Sequence, residues 1–196
     1  MRFPFPHEDY EWQPVSKTVL IAWSIFFVLY MVHVFRAPLQ GAGHFLQPVF
    51  FVVHEAGHLL FSHLGSEFLT IAGGTIFQFL VPLMLAAGFA WRGHTTGTAF
   101  CLFFTFTNCF DTAIYMADAR AMDLPLLAVG GGGDEGVAHD WWNIFNTFGL
   151  LEQDTRIAGF TRVLGWAGLI ASVLWLVYMR NKHPAKDDIF FREASA

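Results

Sequence analysis

Residues 54–58 read His-Glu-Ala-Gly-His, and their polar members have the types and spacing that could bind a metal ion and activate water. On an α-helix, His54 and His58 lie four positions apart on one face, so that two imidazoles can bind a single zinc ion. Glu55 beside them can then act as general base on a water that the zinc activates. The pattern predicts zinc as cofactor, His54 and His58 as ligands and Glu55 as the catalytic residue.

The setting of this motif favours function over an incidental pair of core histidines. Ionisable side chains inside an apolar segment are costly to bury and usually serve a function. At helical spacing the polar residues of this segment fall on one side, which must face protein or water rather than lipid. They are His44, Gln47, His54, Glu55, His58 and Ser62.

A catalytic zinc ion usually takes three protein ligands and a water, so one ligand must come from elsewhere in the chain. We favour His139, because an imidazole is a good zinc ligand and the glycine run Gly130–Gly133 lets the preceding loop fold back. The alternatives are Asp111 and Asp118, at membrane depth in a later span, and Asp140, which could instead cap the helix that follows it.

Gln78 is a further candidate for the site. Its amide lies in an apolar segment, one turn before Pro82, and needs a hydrogen-bond partner there. It could donate to the substrate or to a developing oxyanion. The alternative is a hydrogen bond between helices beside Gly73 and Gly74.

The composition indicates a membrane protein. Of the 196 residues, 55% are hydrophobic and 14% are charged, whereas soluble domains have about 45–50% and about 25%. The net charge of -5 provides no basic surface for nucleic acid. The hydrophobic composition likewise excludes a disordered chain and a secreted disulfide scaffold.

Apolar runs of the length needed to cross a bilayer predict the architecture. The fold class is an all-α polytopic membrane helix bundle with about five transmembrane helices, forming a single domain over 1–196. A loop with a short helix at 120–154 precedes the last span. The predicted spans are 18–35, 43–64, 68–91, 95–117 and 157–179.

With the motif in this setting, the chain resembles the site-2 protease family of intramembrane zinc metalloproteases. The resemblance rests on His54-Glu55-Ala56-Gly57-His58 within a hydrophobic segment, and on a following Gly73-Gly74-Thr75 stretch with Gln78 and Pro82. It implies that the two histidines bind zinc, that the glutamate activates water, and that an aspartate from a later helix completes the site. That aspartate usually stands in an Asp-Gly context, which the fourth span here lacks.

The sequence therefore predicts a multi-pass integral protein of the plasma or inner membrane. We expect a zinc metalloprotease that hydrolyses peptide bonds of membrane proteins or membrane-associated peptides. Two alternatives stay open: a zinc hydrolase acting on a lipid amide or ester, and a non-catalytic metal-binding membrane protein. The expected partners are a membrane protein or peptide substrate and the lipid bilayer, nucleic acid is excluded, and the oligomeric state and any regulating protein stay open.

Overall fold

The computed structural model describes residues 11–36, 46–124 and 139–185, and within these ranges the chain forms α-helices and no β-strand. The predicted all-α helix bundle is confirmed. Residues 43–45 of the second predicted span and the glycine run Gly130–Gly133 lie outside the described residues. The helices are α1 (Lys17–Arg36), α2 (Gln47–Ser62), α3 (Glu67–Trp91), α4 (Thr95–Ala117), α5 (Asp140–Thr147) and α6 (Asp154–Lys182), the last preceded by a 3-10 turn (Leu151–Gln153).

Four segments of the described chain are long and apolar enough to cross a membrane. Large apolar side chains on their outer surfaces are exposed, including Ile25 at 54% and Leu174 at 62%. Such a surface suits a lipid environment, in which every backbone polar group of a helix is satisfied internally. These features are those of an integral membrane protein. The four segments are Lys17–Phe35, Glu67–Trp91, Thr95–Ala117 and Leu151–Lys182.

The second predicted span is shorter in the structure than the sequence suggests. α2 has 16 residues, which at 1.5 Å per residue is about 24 Å, against a hydrocarbon core of about 30 Å. Pro48 lies in its first turn, where the missing N–H costs nothing. α2 is therefore not among the four spanning candidates of the described chain, although it packs along α3 over most of its length.

α4 is the central helix of the bundle. It packs against α6 on one side and α3 on the other, and Phe103 and Phe110 on α4 share a buried core with Leu169 and Leu176 on α6. Several of its buried threonines donate their hydroxyl protons to backbone carbonyls of the same helix, as Thr107 does to the carbonyl oxygen of Phe103 at 2.9 Å. The apolar interior thus tolerates the polar residues of α4.

α2 and α3 form a closely packed hairpin. The turn between them contains Gly65 at φ +70°, a left-handed conformation that suits glycine. Further along, a Cβ on Gly57 would collide with the carbonyl oxygen of Gly73 and with the side chain of Phe77. Only glycine at position 57 allows the two helices to approach this closely.

An apolar contact holds α5 against α4 and α6, and an ion pair ties these two helices together. Phe145 lies in a second buried core with Ala113 and Met116 of α4 and Ala158 of α6. A bidentate ion pair also joins the end of α4 to the start of α6, because the Nε and Nη2 of Arg120 each lie 2.8 Å from a carboxylate oxygen of the buried Asp154. The start of α5 is thereby presented to the α2–α3 hairpin.

Candidate metal centre

The ligand atoms of His54, His58 and Asp140 meet at one point between α2, α3 and α5. The Oδ2 of Asp140 lies 2.9 Å from the Nε2 of His54 and 3.1 Å from the Nε2 of His58. All three ligand atoms lie within 4.8 Å of one another. The histidines come from consecutive turns of α2, and the carboxylate comes from the first residue of α5, 82 positions after His58.

Hydrogen bonds at the other ring nitrogens determine the tautomers of both histidines. The Nδ1 of His58 lies 2.8 Å from the carbonyl oxygen of Thr70, which can only accept a hydrogen bond. The Nδ1 of His54 lies 3.0 Å from the Oε1 of Gln78. Each Nδ1 therefore carries a proton, and the Nε2 that faces Asp140 is the ring nitrogen left to bind a metal ion.

Gln78 is itself oriented by a buried amide on α4. Its Nε2 donates to the Oδ1 of Asn108 at 2.8 Å. The amide nitrogen of Asn108, in turn, donates to the backbone carbonyls of Gln78 and Phe104, each at 3.3 Å. The fixed carbonyls determine which end of each amide faces its neighbour, and so the Oε1 of Gln78 faces His54.

This arrangement gives Gln78 a role that differs from the one predicted from the sequence. The amide oxygen accepts from His54 and the amide nitrogen donates to Asn108, and the side chain is only 6% exposed. Gln78 supports the candidate metal centre from behind, and its donor is directed at α4 instead of at a substrate. A helix-to-helix hydrogen bond was the alternative that the sequence left open.

Gly74 makes the space in which the two imidazoles meet. A Cβ at this position would lie 2.5 Å from the Nε2 of His54 and 2.6 Å from the Nε2 of His58. Both distances are far below a van der Waals contact, so that any side chain here would displace the ligand nitrogens. Neither Gly74 nor Thr70 is a titratable residue, and the sequence gives no chemical signal for their roles.

The donor set fits a zinc ion. Two imidazole nitrogens and a carboxylate oxygen that face one another need a positive charge between them, which either a proton on an imidazole or a bound metal ion supplies. Burial by itself raises the pKa of the Asp140 carboxyl, but the two imidazoles more than offset this, and its pKa lies below the usual value. Tetrahedral zinc with ligands at 2.0–2.2 Å separates its ligand atoms by about 3.3 Å, close to the two distances found here.

His139, the favoured third ligand in the sequence, is directed away from this point. Its Nδ1 accepts from the backbone N–H of Trp142 at 3.2 Å, which caps α5, and its Nε2 lies 3.3 Å from the Oδ2 of Asp118. Burial lowers the pKa of His139 and keeps the ring neutral. Both nitrogens are thus engaged, and the structure gives the ligand position to Asp140, one residue later.

Asp111 in α4 and Asp118 at the C-terminal end of this helix also lie outside the ligand group. Besides His139, the carboxylate of Asp118 accepts from the backbone N–H groups of Asp123 at 2.9 Å and Leu124 at 3.2 Å. Asp118 therefore ties the chain after α4 to the start of α5. Asp111 is not part of the group of ligand atoms found among the described residues.

Two further side chains border the centre. Glu55 is half-buried, and within the described part of the chain its carboxylate makes no hydrogen bond or ion pair, which leaves it able to accept a proton. The hydroxyl of Tyr115 accepts from the backbone N–H of Asp140 at 3.1 Å. The tyrosine ring also packs 4.3 Å from that of His139. At helical spacing Tyr115 shares a face with Asn108 and Asp111, and this spacing is the signal by which the sequence points to it.

No protein-family model, curated protein or solved structure matches the chain. The class of site is therefore defined by its own geometry: two histidines of one helix and an aspartate of another, close enough together to hold a single metal ion within an all-α membrane protein.

The third ligand is tested by a pair of substitutions. Asp140→Ala should reduce the zinc content from about one ion per chain to nearly none, because two imidazoles alone hold zinc weakly. His139→Asn keeps an acceptor that can cap α5 but removes the imidazole, and it should retain the metal. Elemental analysis of the detergent-purified proteins measures both. Loss of zinc in His139→Asn with retention in Asp140→Ala would contradict the assignment.

The space at Gly74 is tested against a matched glycine of the same helix. Gly74→Ala should abolish stoichiometric zinc binding, because the new methyl group occupies the position of the two ligand nitrogens. A Cβ on Gly88, also in α3, meets no atom within 4 Å, and Gly88→Ala should bind zinc normally. Both variants gain the higher helix propensity of alanine, and so a difference between them reports on the site. Equal zinc content in the two would refute this role of Gly74.

The support from Gln78 is tested by two substitutions at that position. Gln78→Leu removes the acceptor for the Nδ1 proton of His54 and should weaken zinc binding by about 10–100-fold. Gln78→Glu retains an acceptor and should restore most of that loss. Competition with a chelator of known affinity gives the dissociation constants. An unchanged affinity in Gln78→Leu would show that His54 is oriented by other contacts.

Proposed function

We propose that this protein is a zinc-dependent hydrolase of the membrane that cleaves peptide bonds in membrane proteins or membrane-associated peptides. The observation that supports this most directly is the convergence of His54, His58 and Asp140 with a glutamate beside them that has no partner in the described chain. Two histidines and one carboxylate leave a coordination position for water or substrate, as a catalytic zinc site requires. A carrier has no need of an unpaired carboxylate at that point.

In the proposed reaction Glu55 transfers the protons. Bound zinc supplies Lewis acidity, which makes water more acidic and polarises the substrate carbonyl. Glu55 removes a proton from the attacking water as the new carbon–oxygen bond forms. When the carbon–nitrogen bond breaks, Glu55 returns that proton to the leaving amine, so that the products are a carboxyl group and an amine.

Tyr115 is the side chain best placed to stabilise the charge that develops on the substrate oxygen. Its oxygen accepts from the backbone of Asp140, next to the ligand carboxylate. Its proton makes no hydrogen bond to the described residues and is free to donate. The amide of Gln78, the sequence candidate for this role, is already engaged by His54 and Asn108. A hydroxyl that meets the oxyanion in the transition state contributes directly to catalysis.

The location of the site determines the proposed substrates. The ligands are carried by helices that pack among the spanning segments, yet the side chains of His54 and His58 are 12% and 23% exposed. The centre is therefore open at the surface of the bundle. We propose a multi-pass protein of the plasma or inner membrane whose substrates share that membrane or bind to its surface.

Glu55→Gln should abolish peptide hydrolysis, with a loss of at least about 10²-fold, because the amide cannot accept the proton of water. Its zinc content should equal that of the wild type, since the three ligands are unchanged. The measurement uses protein in liposomes with a library of membrane peptides, and mass spectrometry identifies the products.

Glu11→Gln, a substitution of an exposed glutamate in the segment before α1, is the matched control and should be fully active. Full zinc content in the wild type without cleavage of any peptide, but with release of fatty acid from the liposomes, would replace the peptidase with a lipid hydrolase. Zinc binding with neither activity would leave a metal-binding protein.

A further inference from the structure

A cleft lies between the first turns of α3 and the outer face of α5. Its volume is about 230 Å³, and it is lined by Glu67, Phe68 and Ile71 of α3 and by Asn143, Ile144 and Thr147 of α5. The rings of Phe68 and Phe148 meet edge to face at 5.6 Å beside it. None of the residues that form it belongs to the candidate metal centre.

The cleft and the metal centre are nevertheless about one helical turn apart along two helices. On α3, Ile71 lies three residues before Gly74, which borders both imidazoles. On α5, Asn143 and Ile144 lie three and four residues after Asp140. Residues three or four apart share a helix face about one turn, or 5.4 Å, apart. A chain that lies in the cleft is thereby led toward the ligand atoms.

The position of the cleft favours a juxtamembrane segment. Glu67 is the first residue of α3, so that the cleft lies at the end of a membrane-spanning segment. A scissile carbonyl must also be free of the hydrogen bond that it makes within a helix. A substrate segment that is unwound just outside its own transmembrane helix meets both conditions.

The polar groups of the cleft favour a cation. Its lining includes one carboxylate, that of the exposed Glu67, and no positively charged residue. The hydroxyl proton of Thr147 is donated to the carbonyl oxygen of Asn143 at 2.8 Å. The amide nitrogen of Asn143 donates to the carbonyl oxygen of His139 at 3.1 Å. The lining therefore presents mainly acceptors, which suit the N–H groups of a lysine or arginine.

We propose that this cleft is the substrate-binding site next to the scissile bond. It holds an extended juxtamembrane segment of the substrate, with a lysine or arginine side chain against Glu67 and the apolar part of that side chain against Ile71 and Ile144. The proposal rests on the proposed hydrolase function, which it deepens by naming basic juxtamembrane segments as the substrate class.

Binding is measured first, in the Glu55→Gln protein, so that the readout does not depend on catalysis. The probes are two fluorescent peptides that contain one apolar helix and a flanking segment bearing either a lysine or a glutamate. The lysine peptide should bind more tightly. Adding Glu67→Lys should shift the ratio of the two Kd values by about tenfold in favour of the glutamate peptide, and Glu11→Lys, at an exposed position in the segment before α1, should leave it unchanged.

Cleavage is then measured with the same peptides in proteins that retain Glu55. Ile144→Trp fills the cleft and should lower kcat/KM by at least about tenfold with the zinc content unchanged. Ile170→Trp, at a position on α6 that is 51% exposed, is the matched control and should be fully active.

The outcomes separate the two proposals. A charge preference in binding that Glu67→Lys reverses, without cleavage of either peptide by the wild type, supports the cleft and overturns the hydrolase. Cleavage whose charge preference is the same in Glu67→Lys, and whose rate is the same in Ile144→Trp, overturns the cleft and supports the hydrolase. Equal binding of the two peptides also overturns the cleft as a site for a cation.

Discussion

Two imidazole nitrogens and a carboxylate oxygen converge on one point inside a mainly apolar bundle, and most of the polar architecture exists to hold them there. Each Nε2 is available to a metal only if the matching Nδ1 carries the proton, and this requires acceptors at fixed positions behind each ring. α3 supplies both, as the carbonyl of Thr70 and the amide of Gln78. It also supplies the space, because Gly74 has no side chain. The geometry of the site thus depends on how closely α2 and α3 approach each other.

α4 joins the three parts of the site, although it contributes no ligand. Along one face it places Asn108 against Gln78, and further on Tyr115 against the backbone of Asp140. At its end, Asp118 pairs with His139 and receives two backbone N–H groups of the chain that follows. The buried position of α4 explains why it can do this, since it touches α3 on one side and lies under the start of α5 on the other. A displacement of α4 would disturb both the histidines and the aspartate.

The distribution of polarity is compatible with the proposed hydrolysis in a membrane. The outer surfaces of the spanning helices are mainly apolar, whereas the ionisable groups of the candidate centre lie between the helices. The histidines are only partly buried, and Gly74 lies seven residues after the first residue of α3, a distance of about 10 Å. Water and an unwound substrate segment therefore have a short path to the centre from the membrane boundary. This is the arrangement that the proposed chemistry needs.

The sequence by itself determined the helices and half of the site. Apolar runs predicted four spans that end within a few residues of α1, α3, α4 and α6, because hydrophobic length is a local property of the chain. Helical spacing likewise placed His54 and His58 on one face. It overestimated α2, whose apolar run continues beyond the ends of its described helix. The sequence could not identify the third ligand, because His139 and Asp140 are neighbours and both have suitable chemistry. Only the direction in which α5 begins decides between them. In the tertiary structure His139 is directed toward Asp118, and Asp140 is directed toward the two histidines. Gly74 and Tyr115 have roles that depend on contacts between helices far apart in the sequence.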